Sequence, residues 1–190
     1  MRTVLALTLS LLCAAAAVAQ PRATFRPAAL SGGAEAHFVG TAWSYDAGSA
    51  STVARFAVTP ADHVYASGEV RDEVALRRPV LPGSLPASVR SASHLVFDAR
   101  GEGTVFVALE VSDHAEPFVY PVTLHPGADM FRIPLDRFRH RSSRAPFRGD
   151  TVTRVAFYVT TPNGTAAPAP FELTVGTLAF EYKRPLGARY

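Results

Sequence analysis

Seven side chains have the types that hold a hydroxyl-rich ligand: Glu110, Arg154 and Tyr158, with Tyr120, Arg132, Trp43 and Tyr45. Flat aromatic faces pack against the C–H surface of a sugar ring, while arginine and carboxylate groups hydrogen-bond its hydroxyls. Glu110, Arg154 and Tyr158 fall on the outward positions of two predicted strands, and Tyr120 and Arg132 extend the set. Trp43, the only tryptophan, and Tyr45 would stand on a loop as platforms. The competing reading is ordinary sheet surface and core filling, with Trp43 sealing one end of the domain.

Other chemistry has less support. The histidines at 37, 63, 94, 114, 125 and 140 show none of the close pairing of a zinc site. Asp62-His63 and Asp113-His114 are sequence neighbours, an arrangement that in a strand sends the two side chains to opposite faces. Serine, histidine and aspartate occur, but no Gly-x-Ser-x-Gly elbow does. Paired carboxylates for glycoside cleavage are a matter of spatial separation, and in the best strands Glu110 stands almost alone. The run from Asp136 to Arg148 is rich in arginine. It reads as a solvated loop, or as a contact for an anionic polysaccharide, a lipopolysaccharide or an acidic partner. Asn163-Gly164-Thr165 is a glycosylation sequon, relevant only in a host that glycosylates.

The elements that must position these groups are strands. Val105, Val107, Leu109 and Val111 alternate with Thr104, Phe106, Ala108, Glu110 and Ser112, a period of two that buries one face. Arg154 to Thr160 repeats the pattern with Val155, Phe157 and Val159 inward. Phe118 to Leu124 alternates as well, and Pro121 within it signals a sheet edge or a bulge. Further strands are predicted at Val53 to Val58, Val64 to Val70, His94 to Asp98, Met130 to Ile133 and Phe171 to Tyr182. Turn chemistry separates them at Gly101-Glu102-Gly103, Pro126-Gly127 and Asn163-Gly164. Arg78 to Arg90, with three prolines, reads as a long crossover between sheets, and Pro162 to Pro170 as a loop. No helix is expected, and the pattern points to a two-sheet antiparallel sandwich or jelly roll.

Residues 1–19 read as a cleavable signal peptide. Arg2 precedes an apolar run to Val18, and Ala17-Val18-Ala19 fits the small-x-small rule for a cut before Gln20. The run is shorter than a membrane span, and Leu12 before Cys13 does not suit a lipid-attachment site. The mature chain is expected to be secreted or periplasmic. Cleavage removes the only cysteine, so no disulfide, thiolate nucleophile or cysteine metal site is expected. A formal net charge of +3 is too balanced to imply nucleic acid. The remaining organisation is a leader at 20–33, one domain at 34–183 and a tail at 184–190.

The order of motifs resembles a known superfamily. Trp43-Ser44-Tyr45-Asp46 comes first; His94-Leu95-Val96-Phe97-Asp98 then leads through Gly101-Glu102-Gly103 into Val105-Phe106-Val107. Phe131-Arg132-Ile133-Pro134-Leu135-Asp136-Arg137-Phe138 follows, and Phe171-Glu172-Leu173 with Val175-Gly176-Thr177-Leu178 closes the chain. This is similar to the galactose-binding-like β-sandwich superfamily, in the branch shared by some carbohydrate-binding modules and the complex I intermediate-associated protein family. The resemblance implies a jelly-roll sandwich with a Gly-x-Gly hairpin, and an Ile-Pro-Leu-x-x-Phe corner that returns Phe138 to the core. It also implies a structural calcium held partly by an aspartate of the last strand; Gly176 stands at that position, which argues against the site. Many relatives place tryptophan before the corner, where this chain has Met130-Phe131.

The leading expectation is a non-catalytic module that binds a glycan or glycoconjugate on its concave sheet, without a cofactor and without a membrane span. The alternative is a protein-interaction or assembly role of the intermediate-associated type, and the third option is a polysaccharide lyase or hydrolase on the same scaffold.

Overall fold

Period-two alternation becomes two stacked antiparallel sheets in the computed structural model, which describes residues 34–35, 43–80, 92–149, 151–161 and 167–182. The strands are β1 (Ala34–Glu35), β2 (Ser44–Ala47), β3 (Thr52–Val58), β4 (Val64–Val70), β5 (Glu73–Pro79) and β6 (Ala92–Gly101). They continue with β7 (Gly103–Val111), β8 (Phe118–Leu124), β9 (Asp129–Pro134), β10 (Arg139–His140), β11 (Val152–Thr160) and β12 (Ala169–Tyr182). The first sheet has the order β3-β4-β12-β6-β9, with β1 added to β12; the second has the order β10-β8-β7-β11-β5-β2. The expected all-β sandwich is the observed architecture. The signal peptide, leader, tail and sequon, and most of both proline-rich stretches, lie outside the described residues. Among the described residues no helix is long and apolar enough to cross a membrane.

The inner faces supply the core. Val105, Val107 and Leu109 of β7 and Val155, Phe157 and Val159 of β11 are buried against Leu95, Phe97, Leu173, Val175, Leu178 and Phe180 of the first sheet. Phe157 meets Phe97 edge to face across the sheets at 5.1 Å between centroids, and Phe131 stacks on Phe97 at 5.1 Å, both favourable aromatic geometries. The Ile-Pro corner behaves as the resemblance implies. Pro134 ends β9, Leu135–Arg137 form one 3-10 turn, and Phe138 is fully buried.

Three sequence expectations are corrected. Glu73–Pro79 is a seven-residue strand inside the second sheet, between β11 and the edge strand β2, where Arg78 was expected to open a crossover. Ser44–Ala47 is the edge strand β2 rather than a loop. The Gly101-Glu102-Gly103 turn is no hairpin, because β6 lies in the first sheet and β7 in the second. Crossing between layers in one residue needs glycine twice. A Cβ at Gly101 would fall 2.5 Å from the Glu172 carbonyl oxygen, and Gly103 has φ +88°, a region that side chains avoid.

Candidate functional site

The outer face of the second sheet carries Glu110, Arg154 and Tyr158. Strand parity decides this: with Val155, Phe157 and Val159 turned into the core, Arg154, Ala156 and Tyr158 must point away. Register then sets the rungs. Arg154 lies opposite Glu110, Ala156 opposite Ala108 and Tyr158 opposite Phe106. On the other flank β5 places Arg77 beside Ala156 and Ala75 beside Tyr158, and β2 places Asp46 beside Ala75.

Glu110 is the hub. It accepts hydrogen bonds from Arg77 Nε at 2.7 Å, Arg154 Nη1 at 3.1 Å and the Tyr158 hydroxyl at 2.8 Å. Arg77 also reaches the Asp46 carboxylate at 3.0 Å. Since Tyr158 stands two rungs from Glu110, its side chain must lean along the strand to make this bond. Ala75, Ala108 and Ala156, all buried on this outer face, leave room for it and pack with Tyr158 and Val119 in a second small cluster. The guanidinium carbons of Arg77 and Arg141 each lie 5.7 Å from the Tyr158 ring centroid, within cation–π range. Arg141 comes from the arginine-rich loop after β10 and pairs with Glu73 at 2.9 Å, which places that loop against the same face.

Electrostatics follow from this packing. Burial, then the Glu110 carboxylate, push the Tyr158 hydroxyl up to about 12, so it remains a donor at physiological pH. Burial opposes the charge of Arg77, but the hydrogen bond and charge of Glu110 outweigh it, and the guanidinium ends well above its ordinary range. Tyr158 itself is buried, so its ring is not an open platform while Arg141 stays over it.

The other sequence candidates disperse. Tyr120 points inward beside Phe138, because Phe118, Tyr120, Val122 and Leu124 form the core-facing set of β8. Arg132 is exposed but belongs to the first sheet, where it holds Glu181 through two hydrogen bonds of 2.6 and 3.1 Å. Trp43 is buried at one end of the sandwich; its Nε1–H donates to the Asp62 carbonyl at 3.1 Å and its ring lies 6.1 Å from Phe157. Arg78 sits 5.6 Å from that ring and is ion-paired with Asp62, with burial pulling its guanidinium down to about 10. Tyr45 is half exposed at the sheet edge, 4.9 Å from Phe56 of the opposite sheet.

The residues missed from sequence are Arg77, Asp46 and Glu73, with the alanines beneath Tyr158, while Arg141 belongs to the arginine-rich run that the sequence had set apart from this face. A signal for Arg77 and Glu73 existed: Val74 and Leu76 alternate with Glu73, Ala75 and Arg77. The two Asp-His pairs lie in turns, Asp62 with φ 62°. Among the described residues no three of His, Cys, Asp or Glu are grouped as a metal would require. Gly176, where the resemblance implies an aspartate, sits in a bulge of β12 between Val175 and Leu178 and supplies no carboxylate there.

No family model matches the chain, and no curated protein matches it. Solved structures do. One is the family 11 carbohydrate-binding module of the cellulosomal cellulase Lic26A-Cel5E of Clostridium thermocellum, 15% identical, with a TM-score of 0.58 over 80% of this chain and 95% of that one. Another is the family 11 module from Clostridium thermocellum in complex with a beta-1,3-1,4-mixed-linked tetrasaccharide. It is 15% identical, with a TM-score of 0.56 over 78% of this chain and 94% of that one. The chain has the two-sheet β-sandwich fold of these carbohydrate-binding modules.

Proposed function

We propose that the protein is an exported, non-catalytic module that binds a glycan on the outer face of its second sheet. The observation that carries this reading is the Glu110 hub. Arg77, Arg154 and Tyr158 converge on one carboxylate at a sheet face where Arg154 and Arg141 are about half exposed. Such a face offers directional donors and acceptors held in register by strands. The fold shared with a module whose structure holds a mixed-linked tetrasaccharide supports the same reading. Export rests on the Arg2, apolar-run and Ala17-Val18-Ala19 pattern.

The test is a pull-down of the mature chain on insoluble polysaccharides together with a glycan array. Enrichment that drops in Glu110→Ala is expected. A chain that is retained by no polysaccharide and no arrayed glycan is not a glycan-binding module. Mass analysis of the exported protein should give a chain that begins at Gln20; a chain still carrying residues 1–19 overturns the cleavage.

A further inference from the structure

The face around Glu110 carries more guanidinium donors than its carboxylates use. Arg154, 53% exposed, gives one nitrogen to Glu110, and Arg141, 50% exposed, gives one to Glu73. Each keeps the rest of its donor fork toward water. Arg139 lies beside Val119 at the β8 margin of this face, and its guanidinium meets the backbone carbonyls of Asp136 and Phe138. In the following loop Arg144 and Arg148 are exposed, with no carboxylate at ion-pair distance among the described residues. Apolar surface for stacking is scarce on the same face. Tyr158 is covered, Ala75, Ala108 and Ala156 lie buried with it, and Phe106 opposite Tyr158 is partly buried in the same cluster, which leaves only part of one ring open.

Ligand chemistry follows from that inventory. A neutral sugar offers hydroxyls, which a carboxylate or an amide satisfies as well as a guanidinium does. A planar fork with spare donors matches carboxylate or sulfate oxygens, which accept two parallel bonds. Resting on the glycan reading above, we infer that the ligand is an acidic polysaccharide bearing uronate carboxylates or sulfate esters, held by Arg141 and Arg154. Arg141 exchanges the Glu73 carboxylate for an anionic group of the ligand. Its departure from the ring uncovers Tyr158 for the neighbouring sugar.

Calorimetric titration of the mature chain tests this with four polymers: polygalacturonate, its methyl ester, a sulfated galactan and a neutral mixed-linked β-glucan. Binding to at least one acidic polymer is expected, the first two polymers reporting on carboxylate and the third on sulfate. Methyl esterification should weaken carboxylate binding roughly tenfold or more, since it removes the charge-assisted bonds. Raising salt from about 50 to about 300 mM should weaken it several-fold through screening. Arg141→Gln and Arg154→Gln should each weaken it about tenfold while lowering the melting temperature by no more than about 4 °C, and Arg132→Gln on the opposite sheet leaves binding unaltered. Binding the neutral glucan or the methyl ester as tightly as the acid overturns the inference and leaves the glycan reading standing. Binding no polymer removes both. Equal losses in Arg132→Gln mark general attraction for polyanions and remove the assigned site.

Discussion

Replacing Glu110 with glutamine keeps the side chain's size and one acceptor oxygen but deletes the charge on which three donors converge. The three contacts are not equivalent. Glu110 and Arg77 have side chains only 16% and 21% exposed, whereas that of Arg154 is 53% exposed. A hydrogen bond to a charged group contributes roughly 1.5–3 kcal/mol net when shielded from water, while an exposed ion pair contributes about 0.2–1 kcal/mol. We therefore assign about 2 kcal/mol to the Arg77 contact and about 0.5 kcal/mol to the Arg154 contact. Arg77 Nε and the Tyr158 hydroxyl both donate to Oε1, so a glutamine oxygen there keeps both bonds; the Arg77 contact loses its charge assistance, about 1 kcal/mol, and the amide nitrogen faces Arg154, whose contact is lost. Asp46 remains as a counter-charge for Arg77 at 3.0 Å, which keeps the guanidinium from being stranded.

Glu110→Gln should thus destabilise the fold by about 1.5 kcal/mol, read as a fall in the urea midpoint at unchanged slope. Double-mutant cycles apportion the loss. The cycle with Arg77→Gln should return a coupling of about 1 kcal/mol, and the cycle with Arg154→Gln about 0.5 kcal/mol. Couplings of equal size, or a total cost below about 0.5 kcal/mol, would refute the claim that burial makes Glu110 and Arg77 the structural pair and leaves Arg154 on the open side.

Three further outcomes are expected. Ala156→Leu adds bulk where Ala156 is fully buried with Tyr158, and should cost about 1–3 kcal/mol in chemical denaturation through overpacking. Trp43→Phe loses the bond to the Asp62 carbonyl and the stacking on Arg78. It should cost about 2 kcal/mol by thermal denaturation followed by circular dichroism, since the variant has no tryptophan to report. The first sheet should show opposed pH dependences. Burial raises the Asp98 carboxyl, so its stabilisation is present below the unfolded value and lost as pH rises through the folded one; Asp98→Asn should remove that alkaline-side loss from the melting curve. Arg132 lowers Glu181, whose contribution is present above the unfolded value and lost as pH falls through the folded one; Glu181→Gln should remove that acid-side loss.

Parity made much of this legible before any coordinates. In β7, β8 and β11 every second residue faces the core, so turning Glu110, Arg154 and Tyr158 outward needed only the period of two, while their meeting on one face needed β7 and β11 to share a sheet. The strand ends came within a few residues for the same reason. β5 was illegible because Arg78 occupies an inward position at the sandwich end, where Trp43 and Asp62 receive it. A charged residue where the pattern demands an apolar one reads as a loop, and Pro79 beside it strengthens the error. Sheet membership was illegible in principle, since alternation tells in from out but not which layer a strand joins. Arg132 and the Gly101-Glu102-Gly103 turn were misplaced on that account. Tyr120 was different: its own strand already grouped it with Phe118, Val122 and Leu124.

The network also bears on what can bind. Arg77, Arg141 and Arg154 each already have a carboxylate, so on the proposed reading an incoming sugar meets the spare donors of Arg141 and Arg154 first and competes with bonds the face makes to itself beyond them. A neutral hydroxyl that displaces a carboxylate from a guanidinium trades a charge-assisted bond for one about half as strong, and contributes only what shape and stacking add. An anionic group exchanges like for like and leaves the released Glu73 to water, which already reaches it. Glu110 differs because three donors hold it and little water does, so the cost of stripping its partners exceeds what one ligand oxygen returns. The exchangeable contact is therefore Arg141 with Glu73, and the Glu110 cluster is the fixed frame beside it. On the proposed reading, movement of Arg141 removes one of the two guanidinium groups that lie 5.7 Å from the Tyr158 ring centroid, so charge recognition and ring stacking are coupled through a single exposed arginine.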